Sequence, residues 1–245
     1  MMRALFKHPE SILKVSSSFC PGCGHGIVHR LVAEVIDKML IREKTIGIVG
    51  VGCSSQSWGV FNFDFLAVPH GRPCSSATGV KRSLPAHFVF TYQGDGDAYA
   101  IGMAETMHAA IRGEKITAIV INNTVFAMTG GQMAPTALNG QITCTSPAGR
   151  NPGATGGPLH FPELIANIPG VAYSARVAVD SVANIRKSGQ AIEKAFHKQE
   201  QNAGFSLVEI LTSCPTVFNL KPPEAMEWVS KELVKEFPLG EFVDR

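Results

Sequence analysis

Buried-strand patterns alternate with helical patterns along most of this chain, and that alternation restricts its fold more than any other feature. Apolar, β-branched runs predict strands over residues 45–51, 87–92, 116–121, 171–179 and 205–211. Helical spacing of apolar residues follows at about 27–39, 77–84, 98–111, 161–166, 181–196 and 224–237. This order predicts an α/β fold, a mostly parallel sheet with helices on both faces.

The length of 245 residues suits one large domain. A chain that is 45% hydrophobic and 17% charged has the composition of an ordinary globular protein. We therefore interpret residues 1–245 as a single domain, with an irregular lead-in over residues 1–19, a Cys-x-x-Cys segment after it and a helical tail at the C-terminus. Residues 56–76 and 124–160 lack a clear period and predict long loops, which in compact domains are usually functional.

Charge and hydropathy exclude two classes of partner. The formal net charge is only +2 and no basic tract is present, so nothing favours a nucleic-acid partner. Residues 1–8 hold no apolar core for a signal peptide, and runs such as 116–121 are too short to span a membrane. These patterns predict a cytoplasmic protein with no membrane partner.

Four candidate ligand side chains follow predicted strands. Cys53, Asp95, Asn123 and Cys214 each come just after a strand-like run. In open α/β sheets, ligands bind outside the carboxyl ends of the strands. We therefore expect these four residues to gather along one edge of the sheet.

The segment Gly94-Asp95-Gly96 predicts a site for a diphosphate and a magnesium ion. It follows a strand and opens a helix, so glycine backbone can approach a phosphate at the positive end of that helix. Asp95 and Asn123 offer the hard oxygen ligands that Mg²⁺ prefers, and we expect the carbonyl of Val125 to supply a third. A simple turn followed by a helix cap is the alternative interpretation. The two motifs together resemble the thiamine diphosphate motif of transketolase-like and pyruvate-decarboxylase-like enzymes.

Six cysteines are present, and four of them form a candidate metal set. In a reducing cytosol they are not expected to form structural disulfides. Cys20 and Cys23 bracket Pro-Gly, so their sulfurs can converge on one metal centre. Together with Cys53 and Cys214, they can hold a [4Fe–4S] cluster or a tetrahedral zinc ion. Zinc ribbons usually carry two close pairs, and the single pair here fits iron–sulfur better. Buried, inert thiols are the alternative for Cys53 and Cys214, and Cys74 and Cys144 have no partner nearby in sequence.

Taken together, these motifs resemble the β subunit of 2-oxoacid:ferredoxin oxidoreductases, which binds thiamine diphosphate. The resemblance runs in order from about residue 15 to 220. It is carried by CPGCGH (20–25), GCS (52–54), HGR (70–72), GDGD (94–97), NN (122–123) and TGGQMAPT (129–136). Val125-Phe126-Ala127 departs from the more usual Ile-Tyr-Gly, and the segments 52–57 and 62–64 also differ, which bears on substrate preference.

The resemblance implies specific residues for each cofactor. Cys20, Cys23, Cys53 and Cys214 would ligate a [4Fe–4S] cluster, while Asp95, Asn123 and the Val125 carbonyl would bind Mg²⁺. His70 and Cys53 are the candidate catalytic residues, and His25 and His70 are candidates for hydrogen bonds to the cofactor or substrate. The residues implied to line the thiamine cofactor are Gly52, Cys53, Ser54, His70, Gly94, Gly96, Asp97, Ala127, Met128 and Thr129.

The implied reaction is the oxidative decarboxylation of a 2-oxo acid. Carbon dioxide leaves, electrons pass one at a time through the cluster to ferredoxin, and coenzyme A takes the acyl group. Residues 129–136 favour 2-oxoglutarate or a branched-chain acid over pyruvate. We expect an α subunit to supply the pyrimidine-side domain and the activating Glu, with small γ and ferredoxin-like δ subunits as further partners.

Two other functions remain open from the sequence. One is a subunit of a non-oxidative thiamine-dependent decarboxylase or synthase, which would carry no cluster. The other is a non-catalytic, nucleotide-binding subunit stapled by zinc, which would bind no thiamine.

Overall fold

A seven-stranded sheet forms the centre of the computed structural model, which describes residues 7–245. Its strand order is β2-β1-β3-β4-β8-β7-β9, and a separate two-stranded hairpin pairs β5 with β6. Every neighbouring pair in the large sheet is parallel except β7 with β9. The strands are β1 (Thr45–Val49), β2 (Asp64–Ala67), β3 (Phe88–Gly94), β4 (Thr117–Asn122), β5 (Val125–Phe126), β6 (Gln132–Met133), β7 (Val171–Ala178), β8 (Phe205–Leu211) and β9 (Gly240–Asp244).

Helices cover both faces of this sheet. Those of the described residues are α1 (His25–Met39), α2 (Pro73–Ser83), α3 (Met103–Ile111), α4 (Pro152–Thr155), α5 (Phe161–Ile165), α6 (Val182–Glu200), α7 (Pro215–Phe218), α8 (Pro222–Trp228) and α9 (Val234–Glu236). Helices α1 and α6 share one apolar core, while α2, α3 and α5 share another. Alternate residues of β4 enter the two cores, Ile119 and Ile121 on one side and Ala118 and Val120 on the other. The predicted fold class is therefore confirmed.

Both predicted loops contain regular structure, and β5, β6 and α4 lie within the second of them, residues 124–160. The sequence predicted an irregular segment over residues 56–76, but the structure places β2 there and begins α2 at Pro73. Strand β2 pairs only with β1 and lies at the edge of the sheet. Most of its side chains are exposed, so it lacks the continuous apolar run that identifies a central strand.

The helix predicted over residues 98–111 is interrupted. A π-helical turn spans Asp97–Ile101, and α3 begins only at Met103. The apolar spacing over residues 98–111 indicated a helix stripe that includes Ile101, Ala104 and His108, but these three residues are exposed. Thr106, Ala109 and Ala110 are buried instead, since the wider π turn rotates the residues after it onto a different face.

The C-terminal tail is helical only in part. A π-helical turn at Val229–Leu233 joins α8 to α9, and β9 then pairs antiparallel with β7. This final strand was absent from the sequence prediction. The first six residues of the predicted lead-in lie outside the described residues, and the remainder of it is irregular. Across residues 7–245, no helix has both the length and the apolar character needed to cross a membrane.

A buried ion pair joins the strands on one side of the sheet centre. Arg176 and Glu209 face each other on β7 and β8, and both side chains are fully buried. Two further guanidinium nitrogens of Arg176 lie 2.6 Å from the Glu163 carboxylate oxygens, and one also donates to the Pro238 carbonyl at 3.2 Å. This cation therefore links β8, α5 and the C-terminal segment.

Removing Arg176 leaves buried carboxylates without their cation. We expect Arg176→Met to lower the free energy of unfolding by about 3–5 kcal/mol, the usual cost of breaking a buried pair. Urea denaturation followed by circular dichroism measures this. Lys231→Met is the matched control, because its pair with Glu227 is exposed, and its midpoint should hardly change. Equal midpoints for the two variants would contradict the assigned role of Arg176.

Candidate active site

One cleft lies at the carboxyl ends of the central strands and collects the predicted cofactor residues. Its walls also include His25, Val51, Ile121 and Phe126. The residues that the sequence analysis assigned to thiamine or magnesium and that line this cleft are Gly52, Cys53, Ser54, His70, Gly94, Asp95, Gly96, Asp97, Asn123, Val125, Ala127, Met128 and Thr129. The structure therefore brings every one of these residues together.

The parallel arrangement of three adjacent strands explains this convergence. Strands β1, β3 and β4 are neighbours and run in the same direction, so their carboxyl ends meet at one edge. Gly52 follows β1, Gly94 ends β3 and Asn123 follows β4. Strand β8 lies beside β4, which brings the segment leading to Cys214 to the same edge.

Asp95 is a buried carboxylate that suits a cation ligand. It is 1% exposed and accepts a hydrogen bond from the Thr136 hydroxyl. The pKa of Asp95 is raised to about 7, chiefly by burial and also by the nearby charge of Glu209, although hydrogen bonds from Thr136 and the Gly96 N–H lower it. A bound cation would offset this cost of burial, so the donor set fits Mg²⁺.

The turn after β4 is held by its own asparagines. The Asn122 side-chain oxygen accepts the Thr124 N–H, and the Asn123 side-chain oxygen accepts the Val125 N–H, each at 3.2 Å. Thr124 has a φ of 67°, which is unusual for a β-branched residue. The Asn122 amide also donates to Glu209 at 3.3 Å. The Asn123 oxygen keeps a second lone pair for a metal ion.

Asp97 lines the cleft, but its carboxylate is occupied by protein groups. One oxygen contacts His70 Nδ1 and accepts the Gly71 N–H at 2.6 Å, while the other accepts the Gln93 amide at 2.8 Å. The side chain of Asp97 is thus bound chiefly to its neighbours, and its contribution to cofactor binding stays a prediction.

His25 is a buried, neutral histidine at the start of α1. Its Nδ1 lies 2.8 Å from the Tyr92 hydroxyl, and its ring stacks on Phe19 with centroids 4.7 Å apart. Burial lowers the pKa of His25 to about 4. Because it also lines the cleft, His25 can offer a hydrogen bond there without carrying a charge.

The four candidate cluster cysteines lie in one neighbourhood. The pKa of Cys23 is raised to about 12, chiefly by burial and also by the charges of Cys214, Cys53 and Cys20. Burial likewise raises the pKa of Cys53 and that of Cys214, and both thiols also feel the charge of Cys20. Thiols that raise each other's pKa need a cationic centre to become thiolates together.

These thiols do not form a closed site for a single ion. Within residues 7–245, no three thiol, imidazole or carboxylate side chains stand close enough to hold one metal ion. A [4Fe–4S] cluster contains several metal atoms, and its ligands stand further apart than those around one zinc ion. A cluster and a zinc ion therefore both stay hypotheses for this group of cysteines.

The Cys-x-x-Cys turn is fixed by the segment that follows β8. The Cys23 N–H donates to the Cys20 carbonyl at 3.0 Å, which closes the turn. Gly22 has a φ of 83°, and a Cβ there would lie only 2.8 Å from the Pro222 Cα atom. This close contact with the start of α8 holds Cys20 and Cys23 near Cys214.

Several residues around the cleft were not among the predicted site residues. Phe126 and Ile121 contribute apolar side chains to the wall of the cleft. Gln93, Thr136 and Glu209 hold the polar residues in place through hydrogen bonds. A glutamate inside the apolar run of β8 was a signal that could have revealed Glu209, since charged residues are rarely buried without partners. Cys74 is buried and Cys144 is exposed, and neither belongs to the cysteine group.

Comparison with known proteins agrees with this geometry. Residues 50–210 match the model of the thiamine pyrophosphate enzyme C-terminal TPP-binding domain. The 2-oxoglutarate synthase subunit KorB of Archaeoglobus fulgidus is 37% identical over 85% of this chain and 74% of its own length. The chain belongs to the 2-oxoacid:ferredoxin oxidoreductase family. The resemblance drawn from its motifs is thus confirmed.

Other members of the family extend over different lengths. The ketoisovalerate oxidoreductase subunit VorA of Methanothermobacter marburgensis is 38% identical over 100% of this chain, which covers 53% of VorA. The chain therefore spans about half the length of that relative. A solved 2-oxoglutarate:ferredoxin oxidoreductase from Magnetococcus marinus shares the fold, with a TM-score of 0.78 and 23% identity over 98% of this chain and 86% of that one.

Asp95 should create a pH dependence that metal binding removes. Its folded-state pKa of about 7 lies above the ordinary value of 3.8, so it favours folding at low pH and loses that contribution as the pH rises through about 7. Without metal, we expect the stability of the wild-type protein relative to Asp95→Asn to fall by up to roughly 4 kcal/mol as the pH rises from 3.8 to about 7. Urea denaturation at a series of pH values tests this.

Asp64→Asn is the matched control, because Asp64 is exposed and should leave the pH profile unchanged. Adding Mg²⁺ with thiamine diphosphate at alkaline pH should raise the stability of the wild-type protein but not that of Asp95→Asn. Parallel pH profiles for wild type and Asp95→Asn would show that Asp95 does not carry this effect.

Proposed function

We propose that this chain is the thiamine diphosphate- and [4Fe–4S]-binding subunit of a 2-oxoacid:ferredoxin oxidoreductase. The reaction is the oxidative decarboxylation of a 2-oxo acid with coenzyme A, giving an acyl-CoA and CO₂ and reducing ferredoxin. The observation that carries the proposal is Cys53, which lines the cofactor cleft and also belongs to the group of four thiols.

Residues of the cleft have separate tasks in this proposal. Asp95, Asn123 and the Val125 carbonyl hold Mg²⁺ against the diphosphate, and the glycines around Asp95 let the backbone approach it. His70 presents an imidazole at the cleft wall. When bound, thiamine diphosphate supplies the nucleophilic carbon for decarboxylation, and the protein supplies binding, orientation and electrostatics.

The cysteine group gives the electrons a route out of the cleft. Cys20, Cys23, Cys53 and Cys214 would hold the [4Fe–4S] cluster. Since Cys53 stands between the two sites, the cluster would lie directly beside the thiamine. This juxtaposition favours an oxidoreductase over a non-oxidative decarboxylase or synthase, whose chemistry transfers no electrons.

Partner subunits complete the enzyme in this proposal. The cleft wall includes Val51 and Met128, two apolar side chains that are 52% and 48% exposed, and an α subunit packing over them would supply the pyrimidine-side domain and the activating Glu. Small γ and ferredoxin-like δ subunits are further proposed partners. A cytoplasmic location and a single domain over residues 1–245 stay predictions.

The names of the relatives bear on the substrate. VorA is called a ketoisovalerate oxidoreductase subunit, and KorB a 2-oxoglutarate synthase subunit. These names agree with the preference inferred from residues 129–136. We therefore propose 2-oxoglutarate or a branched-chain 2-oxo acid as the substrate in preference to pyruvate.

Iron content and visible absorption test the cluster. The chain, prepared anaerobically with its partner subunits, should be brown and contain iron. Cys214→Ser should lower the iron content by about four per copy of this chain, with a matching loss of absorbance. Cys144→Ser, at an exposed cysteine outside the group, should keep both at the wild-type level. A colourless, iron-free wild-type protein would overturn the oxidoreductase proposal, and zinc in place of iron would favour the zinc-stapled alternative.

A dye-reduction assay tests the substrate. With coenzyme A and a viologen dye, 2-oxoglutarate or 2-oxoisovalerate should give at least tenfold higher kcat/KM than pyruvate, about 1.4 kcal/mol of discrimination. The three acids are compared on one anaerobic preparation. A preference for pyruvate would contradict the substrate assignment while leaving the reaction class intact.

A further inference from the structure

We propose that Asp97 is a positioning residue that fixes the tautomer of His70, with the proton on Nδ1 and the lone pair on Nε2. The inference deepens the proposed function, on which the role of the cleft rests. His70 lines the cleft and its side chain is 29% exposed, whereas Asp97 is 2% exposed. Because Nδ1 contacts Asp97, Nε2 is the ring nitrogen left for a bound ligand.

Three groups converge on the Asp97 carboxylate. The Gly71 N–H and the Gln93 amide both donate to it, one to each oxygen, and His70 Nδ1 approaches the oxygen that Gly71 also contacts. A carboxylate is acceptor-only, so the contact with His70 requires a proton on Nδ1. A neutral ring then carries its acceptor at Nε2.

The orientation of Gln93 supports the same assignment. Its side-chain oxygen accepts a hydrogen bond from the Cys74 thiol at 3.4 Å, and its amide nitrogen faces Asp97 at 2.8 Å. Burial raises the pKa of Cys74 to about 11, which keeps the thiol protonated as a donor. The Cys74 thiol therefore donates to Gln93, and the Gln93 amide donates to Asp97. Asp97 then needs to donate neither to Gln93 nor to His70.

The backbone around Asp97 keeps the carboxylate in place. Asp97 opens the π-helical turn, and its carbonyl accepts the Gly102 N–H at 2.9 Å. Such turns are frequent at functional sites. A Cβ at Gly50 would lie 2.5 Å from an Asp97 carboxylate oxygen, so only glycine at the end of β1 leaves room for this side chain.

Phe126 packs near the His70 ring from another direction. The two ring centroids are 6.1 Å apart with an edge-to-face geometry, and Phe126 also lines the cleft. The imidazole is thus bounded by an aromatic ring as well as by the carboxylate. Its Nε2 lone pair is suited to accept a hydrogen bond from an N–H or O–H group of a ligand in the cleft.

Nitrogen NMR of the full chain with ¹⁵N-labelled histidine tests the tautomer directly. His70→Gln identifies the His70 signals among those of the eight histidines. At a pH at which the ring is neutral, we expect a protonated, pyrrole-type signal at Nδ1 and an unprotonated, pyridine-type signal at Nε2. Neutral histidine in water favours the opposite tautomer, so this result would show the influence of the site.

Asp97→Asn should reverse or mix the two signals, because an Asn amide can donate to Nδ1. Asp64→Asn, at an exposed carboxylate, should leave them unchanged. If Asp97→Asn fails to fold, the wild-type spectrum alone decides the question. A wild-type ring protonated at Nε2, or unchanged signals in a folded Asp97→Asn variant, would overturn the inference.

The measurement needs neither thiamine nor cluster, so its failure is distinct from failure of the proposed function. In the assembled enzyme, Asp97→Asn should lower kcat at least tenfold with a smaller change in KM, since the altered ring still occupies its place. Thiamine binding measured on the same preparation separates loss of the cofactor from loss of the tautomer. A proportional loss of bound thiamine and kcat would assign Asp97 to cofactor retention instead.

Discussion

The parallel pairing of β1, β3, β4 and β8 is the constraint on which the site depends. Parallel strands place all their carboxyl ends at one edge of the sheet, whatever the distance between them along the chain. Residues as far apart in sequence as Cys53 and Cys214 therefore come into one neighbourhood without a dedicated loop to join them. The helices that connect these strands also form the two apolar cores, so the same topology stabilises the fold and brings the site residues close together.

Three buried carboxylates of the structure are compensated to different degrees. Glu209 is paired with Arg176, and Asp97 accepts hydrogen bonds from its neighbours. Asp95 accepts hydrogen bonds from the Thr136 hydroxyl and from the backbone N–H groups of Gly96 and Asp95 itself, yet burial raises its pKa to about 7. Because Asp95 also lines the cleft, a cation bound there would supply compensation that its hydrogen bonds do not.

The sequence predicted the fold class and the wall of the cleft because both depend on local signals. A strand-like run followed by a polar or glycine motif is visible one segment at a time. The edge strands β2 and β9 were missed because pairing on one side leaves them without an apolar run. The contacts of Gln93, Thr136 and Glu209 were beyond prediction, because each joins segments whose approach is set by the tertiary fold.

The contact between Gly22 and Pro222 has a consequence for how the ends of the chain behave. It places an N-terminal turn against the helix that follows the last parallel strand, so a centre shared by Cys20, Cys23 and Cys214 would act as a crosslink that closes a very long loop. Closing such a loop removes much of the freedom of the unfolded chain. Oxidative loss of that centre would then release both ends of the chain at once, and the protein would become more susceptible to proteolysis.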